Sequence, residues 1–303
     1  MATIETLVSV IIPCYKDSQT LARAINSVQK QAYSNLEIIV INDCSPESKK
    51  IEDVLRSYPQ IRYIKNTSNL GLAATRNIGA NEARGSLISF LDSDDEWHPQ
   101  KLEFQIKYWQ KSVAVSCSVM VVKSESEKIH TYFRNKFAVR KIKSPNRLFF
   151  KNYLTGASIL ISKEDFLCVG GYDEKLRSCE DYDLWLRLIL SGYLVFNISL
   201  PLYYYYYNND GLSKNIPSIC YWELEVIKKL FLRDDLSRLA YKLKPYIFSI
   251  WLFRHLYRSA ITQNIELKNK TILNARLLIE APILLIILEL VAKIKIPFQL
   301  LLK

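Results

Sequence analysis

The stretch from Leu7 to Asp43, LVSVIIPCYKDSQTLARAINSVQKQAYSNLEIIVIND, carries two hydrophobic periodicities in succession. Leu7 to Ile12 is a nearly continuous apolar run that stops at Pro13, as a strand covered on both faces requires. Leu21, Ala24, Ile25 and Val28 follow at helical spacing, and a second apolar run, Leu36 to Ile41, ends at Asn42-Asp43. Strand, helix and strand joined this tightly predict parallel pairing with a right-handed crossover. Outward from there, Ile51, Val54, Leu55 and Tyr58 mark a helix, Ile61 to Ile64 a strand, Leu72 to Ala83 a helix and Leu87 to Leu91 a fourth strand. Val113 to Val122 and Gly156 to Ile161 read as further strands. Ser178 opens a helix with Leu184, Trp185, Leu188 and Ile189 on one side. The fold class is α/β.

The 303 residues are 49% hydrophobic and 23% charged, an ordinary globular composition long enough for a sizeable core. The formal charge of +11 is uneven: residues 211–303 hold 15 Lys/Arg against 7 Asp/Glu, and the first 210 hold 26 against 23. A basic final third points to an anionic partner, a membrane surface or nucleic acid. All eight glycines fall between Gly71 and Gly211. This change places a domain boundary near Gly211 to Pro217, with a catalytic domain over 1–215 and a helical, basic region over 216–303. Within that region Ala281 to Leu302 is apolar but broken by Glu289, Lys293, Lys295 and Pro297. A spanning helix needs about 20 apolar residues. The segment therefore fits a helix lying in the membrane interface, or one packed on the catalytic domain or a second subunit.

Six scattered cysteines without a C-x-x-C pair, and no secretory signal, read as reduced thiols of a cytosolic protein. Three distant histidines argue against a zinc site, so a metal here should be a hard cation held by oxygen.

In an open parallel sheet ligands bind beyond the carboxyl ends of the strands. That rule selects Pro13 to Asp17, Asn42 to Ser45 and Asp92 to Trp97. Asp92-Ser-Asp94-Asp95 crowds three carboxylates at a strand end, where Asp92 and Asp94 could face a divalent cation, or cap a turn. Asp43 could accept a hydrogen bond from a nucleotide base or ribose, or hold a turn. Arg76, among the small residues Ala73, Ala74, Gly79 and Ala80, could reach a nucleotide or be a surface charge. Asp181, three residues after Ser178, completes a capping-box pattern; aimed into a cleft from a helix start, it could equally serve as a general base.

Five stretches in this order resemble glycosyltransferase family 2, the inverting enzymes of the GT-A fold common in bacterial polysaccharide assembly. They are Val8 to Tyr15 (VSVIIPCY), Ile41 to Ser45 (INDCS), Gly71 to Gly79 (GLAATRNIG), Phe90 to Trp97 (FLDSDDEW) and Glu180 to Arg187 (EDYDLWLR). The resemblance covers roughly Leu7 to Asn215. It implies a Rossmann-like, mostly parallel GT-A sheet and a nucleotide pocket of Pro13, Tyr15, Asp17, Asp43, Arg76 and Asp92, with Asp43 and Arg76 near the base. Asp92 and Asp94 would hold Mn²⁺ or Mg²⁺ on the diphosphate. Asp181 would be the catalytic base with Glu180 beside it, and Asp95 and Trp97 would shape the donor-sugar side. The implied substrates are a UDP-sugar and a saccharide or lipid-linked saccharide. The implied place is the cytoplasm, peripheral at the inner face of the cytoplasmic membrane.

Two departures stand out. Tyr203 to Gly211 (YYYYYNNDG) lacks the Arg and His the family often has there, and no Q-x-x-R-W motif is present, which argues against a processive polymerase. Among rivals, a sugar nucleotidyltransferase wants a glycine-rich loop after the first strand, and this chain has no glycine before Gly71. A non-catalytic sugar-nucleotide scaffold is disfavoured by the intact Asp92, Asp94 and Asp181. The basic tail lacks a nucleic-acid reading motif.

Overall fold

The computed structural model describes residues 6–122, 136–206, 215–234, 236 and 238–278. Strand β1 (Val8–Cys14) is buried at all seven positions, as its nearly continuous apolar run demands of a strand covered on both faces. It pairs in parallel with β2 (Leu36–Asn42) on one side and β4 (Leu87–Phe90) on the other, and β2 pairs in parallel with β3 (Arg62–Lys65). Helices α1 (Leu21–Gln29), α2 (Ser48–Leu55) and α3 (Leu72–Glu82) make the crossovers. Gly79 brings α3 hard against the sheet: a Cβ there would stand 2.4 Å from Ile11 Cγ2 and 2.7 Å from Ile41 Cδ1.

Beyond β4 the sheet turns mixed. Strand β5 (Glu96–Trp97) and helix α4 (Lys101–Tyr108) lead into β6 (Val113–Val122) and β7 (Val139–Ile142). The expected strand from Gly156 divides into a 3-10 turn, Gly156–Ser158, and β8 (Leu160–Ser162), because Ser158 folds its hydroxyl back onto the Thr155 carbonyl at 2.7 Å. Helix α5 (Lys163–Cys168), helix α6 (Glu180–Leu190) and strand β9 (Leu194–Tyr206) follow. The nine-stranded sheet runs β3-β2-β1-β4-β8-β6-β9-β5, with β7 also on β9. Its central cluster joins Val10, Ile12, Val40, Leu91, Val115 and Leu160.

One local expectation is corrected. Helix α6 starts at Glu180, its N-cap is Cys179 in the left-handed region (φ 62°), and no side chain caps it. Asp181 therefore completes no capping box with Ser178; its carboxylate turns instead to the Gly156 N–H, 3.1 Å away.

The chain divides into two compact units, Met1–Pro145 with Tyr153–Gly211, and Asn146–Asn152 with Leu212–Lys303. The second contains α7 (Ile216–Leu230), α8 (Arg238–Ile261) and α9 (Ile265–Leu278). The short excursion 146–152 is tied in by Trp251 Nε1, which donates to the Phe149 carbonyl at 2.7 Å, and by Arg254 to Phe150 at 3.0 Å. Among the described residues no helix is long and apolar enough to cross a membrane. The Ala281–Leu302 segment and most of the Tyr203–Gly211 stretch, from Tyr207 on, lie outside the described residues.

Candidate active site

Strands β1, β2 and β4 deliver their carboxyl ends side by side, with Cys14 opposite Asn42 and Ile11 opposite Phe90. At the β1 end Pro13 is buried, Tyr15 is 39% exposed and Asp17 is half-buried. Lys16 adopts φ 65° and gives its N–H to Ser45 Oγ at 3.0 Å, which ties this loop to the β2 loop. Asp43, at the β2 end, is buried and already spoken for. Its Oδ1 accepts from Asn66 Nδ2 (2.8 Å) and the Leu70 N–H (2.9 Å), and its Oδ2 from the Gly71 N–H (2.9 Å). It thus fixes the turn that launches α3, which makes its turn-holding role visible in the geometry.

The loop after β4 is clamped from three sides. Ser93 donates to Asp17 Oδ2 at 2.6 Å, and Arg23 of α1 donates to the Asp94 carbonyl. Asp95 is 1% exposed and accepts from the Tyr203 hydroxyl (2.6 Å) and the Tyr206 N–H (2.8 Å), both on β9. Arg23 also lies 3.5 Å over the Tyr206 ring. Trp97 is 1% exposed, within the core, with the Lys101 ammonium 3.8 Å from its ring centre. In this conformation Asp95 and Trp97 present no surface to a sugar; they brace the loop from beneath. The tyrosine-rich strand and Arg23 are site residues that sequence reasoning passed over. Five consecutive tyrosines carry no alternation that would single out Tyr203 or Tyr206, and their partner Asp95 lies 108 and 111 residues away.

Helix α3 supplies the connection to α6. Arg76 is 3% exposed and forks between two carboxylates, Nη2 to Asp92 Oδ1 at 2.5 Å and Nη1 to Glu180 Oε1 at 2.7 Å. Burial alone would favour a neutral guanidine, but Asp92 and Glu180 outweigh it and hold the group cationic. Arg76 is therefore engaged with the site's own acids rather than turned outward to a base. Next to Glu180, burial first and the Glu180 charge second push the Asp181 carboxyl up to about 6, against the lowering effect of the Gly156 N–H. Gly156 is required there: a Cβ would stand 2.5 Å from Asp181 Cβ. The Tyr172 hydroxyl is pushed up by burial first and then by the charges of Glu180, Asp181 and Asp92, against the lowering effect of Arg76, whose guanidinium lies 5.4 Å from the Tyr172 ring centre. Arg177 on the approach to α6 brings Nη1 within 3.4 Å of where a Gly71 Cβ would be, placing a cation at the Asp43 turn that the sequence did not flag.

Among the described residues, two groups of side chains could hold a metal. Asp94 is part-buried and makes no side-chain bond to another described residue; burial, then Asp92 and Asp17, push it up to about 6. Crowded carboxylates of this kind, with Asp92 keeping one oxygen free of Arg76, fit a hard divalent cation. In the helical unit Cys220, Glu223 and His255 also lie together. There Arg258 already serves as the cation, Nη1 at 2.5 Å and Nη2 at 3.2 Å from the two Glu223 oxygens, with Nη1 3.4 Å from Cys220 Sγ. Burial also pushes the Cys220 thiol up, away from a ligating thiolate. That cluster is a satisfied ion-pair network.

The family model for Glycosyl transferase family 2 matches residues 9–167. Curated relatives align at 28–35% identity, and the aligned stretch spans between 32% and 67% of their own lengths. One, provisionally assigned in Escherichia coli to colanic acid biosynthesis as the glycosyl transferase WcaA, is 31% identical over 61% of this chain and 66% of its own. Among solved structures, S. aureus TarS 1–349 in complex with UDP-GlcNAc has TM-score 0.65 at 18% identity, covering 88% of this chain and 79% of that one. The mannosyltransferase PcManGT of Pyrobaculum calidifontis, in complex with GDP-Man and Mn²⁺, has TM-score 0.63 at 15% identity, covering 96% and 86%. At these identities the structural likeness establishes the fold, a GT-A sheet with a helical C-terminal extension.

Proposed function

The chain belongs to glycosyltransferase family 2, and from that membership we propose that it moves one sugar from a UDP-sugar to an acceptor hydroxyl with inversion at the anomeric carbon. The observation that carries this reading is the Arg76 fork, which draws the β4 carboxylate Asp92 and the α6 start, Glu180-Asp181, to one place. Asp181 takes the proton from the acceptor hydroxyl as its oxygen attacks the face opposite the leaving diphosphate. Its carboxyl, at about 6, is largely ionised at neutral pH yet basic enough to accept that proton. Glu180 and Arg76 act through Asp181 and Asp92 by fixing where their oxygens stand. Asp92 and Asp94 would hold Mn²⁺ or Mg²⁺, which as a Lewis acid would stabilise the charge on the departing diphosphate. Tyr15, exposed at the β1 end, and Asp17 line the nucleotide side beside Pro13 and Asp43.

The WcaA likeness supports a role in cell-surface polysaccharide synthesis. UDP as the carrier draws support from the UDP-GlcNAc of TarS, whereas PcManGT carries GDP-Man. The +8 of residues 211–303 supports a peripheral place at the cytoplasmic membrane with a lipid-linked saccharide as acceptor.

A panel of UDP- and GDP-sugars, incubated with Mn²⁺ or Mg²⁺, tests the reading through release of nucleoside diphosphate. Slow, chelator-sensitive release of UDP from one donor is expected. Tight UDP binding with no turnover on any donor or acceptor would mean a scaffold, and sugar-nucleotide synthesis from a triphosphate would mean a nucleotidyltransferase.

A further inference from the structure

Between Lys128 and Ser162 the chain carries eight lysines and arginines and not one aspartate or glutamate, while the other residues up to Asp210 carry 18 cations against 23 acids. The near-neutral first 210 residues are thus a strongly basic segment set in an acidic body. Six of these cations, Lys136, Arg140, Lys141, Lys143, Arg147 and Lys151, are described and exposed, the first four on or beside β7. None makes an ion pair with a described residue; Lys141 lies 5.6 Å over the Phe196 ring.

Residues 136–142 are tied to β9. Strand β7 pairs antiparallel with β9 from Val139 opposite Ile198 to Ile142 opposite Val195. Just before it, Ser199 exchanges main-chain and side-chain bonds with Lys136 and Ala138, at 2.7 Å to the Lys136 carbonyl and 2.8 Å from the Ala138 N–H. Phe137, 50% exposed, sits among the cations against Phe104 and Tyr108, at 5.8 and 6.1 Å between ring centres. Lysine on an edge strand ordinarily serves to repel other strands. One or two suffice for that, and the need would not strip every acid from so long a segment.

We propose that this edge docks on an anionic lipid bilayer. Unpaired cations on neighbouring positions repel one another, and a sheet of lipid phosphates relieves them collectively. Phe137 decides between an anionic bilayer and a dissolved polyanion, since a half-exposed aromatic ring gains from the interface and gains nothing from a hydrated polymer. Along β9 the strand runs five residues from Ile198, beside β7, to Tyr203, beside Asp95. That is roughly 17 Å at about 3.3 Å per residue, so docking would leave the carboxylate site close above the bilayer. The proposal rests on charge and exposure, not on the catalytic reading.

Co-sedimentation of the full chain with phosphatidylcholine vesicles, and with vesicles one third phosphatidylglycerol, provides the test. The wild type is expected to pellet with the anionic vesicles alone and to be released by high salt. The K136Q/R140Q/K141Q/K143Q variant should keep its melting temperature and lose roughly 100-fold or more in partition, at about fivefold per charge. Loss below about threefold would overturn the proposal and assign binding to the basic C-terminal region. So would equal binding to neutral vesicles, or a wild type that binds long-chain polyphosphate while leaving the anionic vesicles in the supernatant.

Discussion

Lys101 is an amine with nowhere to put a charge. It is wholly buried on α4, bonded to Ser89 Oγ at 3.1 Å and Gln105 Oε1 at 2.7 Å, and burial pushes it down to about 7. The unfolded chain binds a proton there up to about 10.5, the ordinary lysine value, and the folded chain only up to about 7. Its contribution to stability is therefore lost as pH falls through 7 and grows as pH rises from 7 toward 10. Lys101→Met should remove that dependence. Urea titrations of the two proteins across this range are expected to converge at alkaline pH and to differ by about 3–5 kcal/mol near pH 6, the variant being the more stable. A constant difference would mean that the amine stays charged when folded. Asp181 makes the opposite case: its carboxyl is raised, so the ionised form that the proposed base role requires is the form the fold disfavours. Turnover should climb as pH rises from 5 to 7, with an apparent pKa near 6. A flat profile over that range would exclude Asp181 as the titrating base.

Elements meet at this site through single residues, and two substitutions probe that. Arg76 joins α3, β4 and α6, so Arg76→Met should leave Asp92 and Glu180 uncompensated and cost about 3–5 kcal/mol in denaturant unfolding. A change below 1 kcal/mol would show that water or neighbouring groups can replace the guanidinium. Gly156 sets how close the 3-10 turn comes to α6. Gly156→Ala places a methyl 2.5 Å from Asp181 Cβ. It should depress turnover at least about tenfold through displaced orientation, while UDP affinity, which the proposed function assigns to the β1 and β2 ends, holds. Equal loss of UDP affinity would contradict the separation of those two halves of the site.

At the scale of the whole molecule, the parallel half of the sheet was legible because short apolar runs and segments of period 3.6 alternate from Leu7 to Leu91, with short loops between. The acid-bearing strand ends were legible for the same reason: topology selects them before chemistry does. What was not legible depended on partners far apart in sequence. Nothing local tells that Arg76 faces Glu180, 104 residues on, or that Tyr203 reaches back to Asp95. Nor does the Ser178 to Asp181 spacing reveal that Gly156, not Ser178, claims the Asp181 carboxylate. Charge summed over 210 residues likewise hid the acid-free run from Lys128 to Ser162.

The central claim is that Asp181 meets the incoming hydroxyl while the strand ends hold the nucleotide. Asp181→Asn tests it most directly, with UDP affinity by calorimetry and turnover with the identified donor and acceptor measured on the same preparation. UDP binding is expected to match the wild type and turnover to fall about 10²–10⁴-fold. Turnover at the wild-type rate, or UDP affinity lost in parallel with it, would contradict the account.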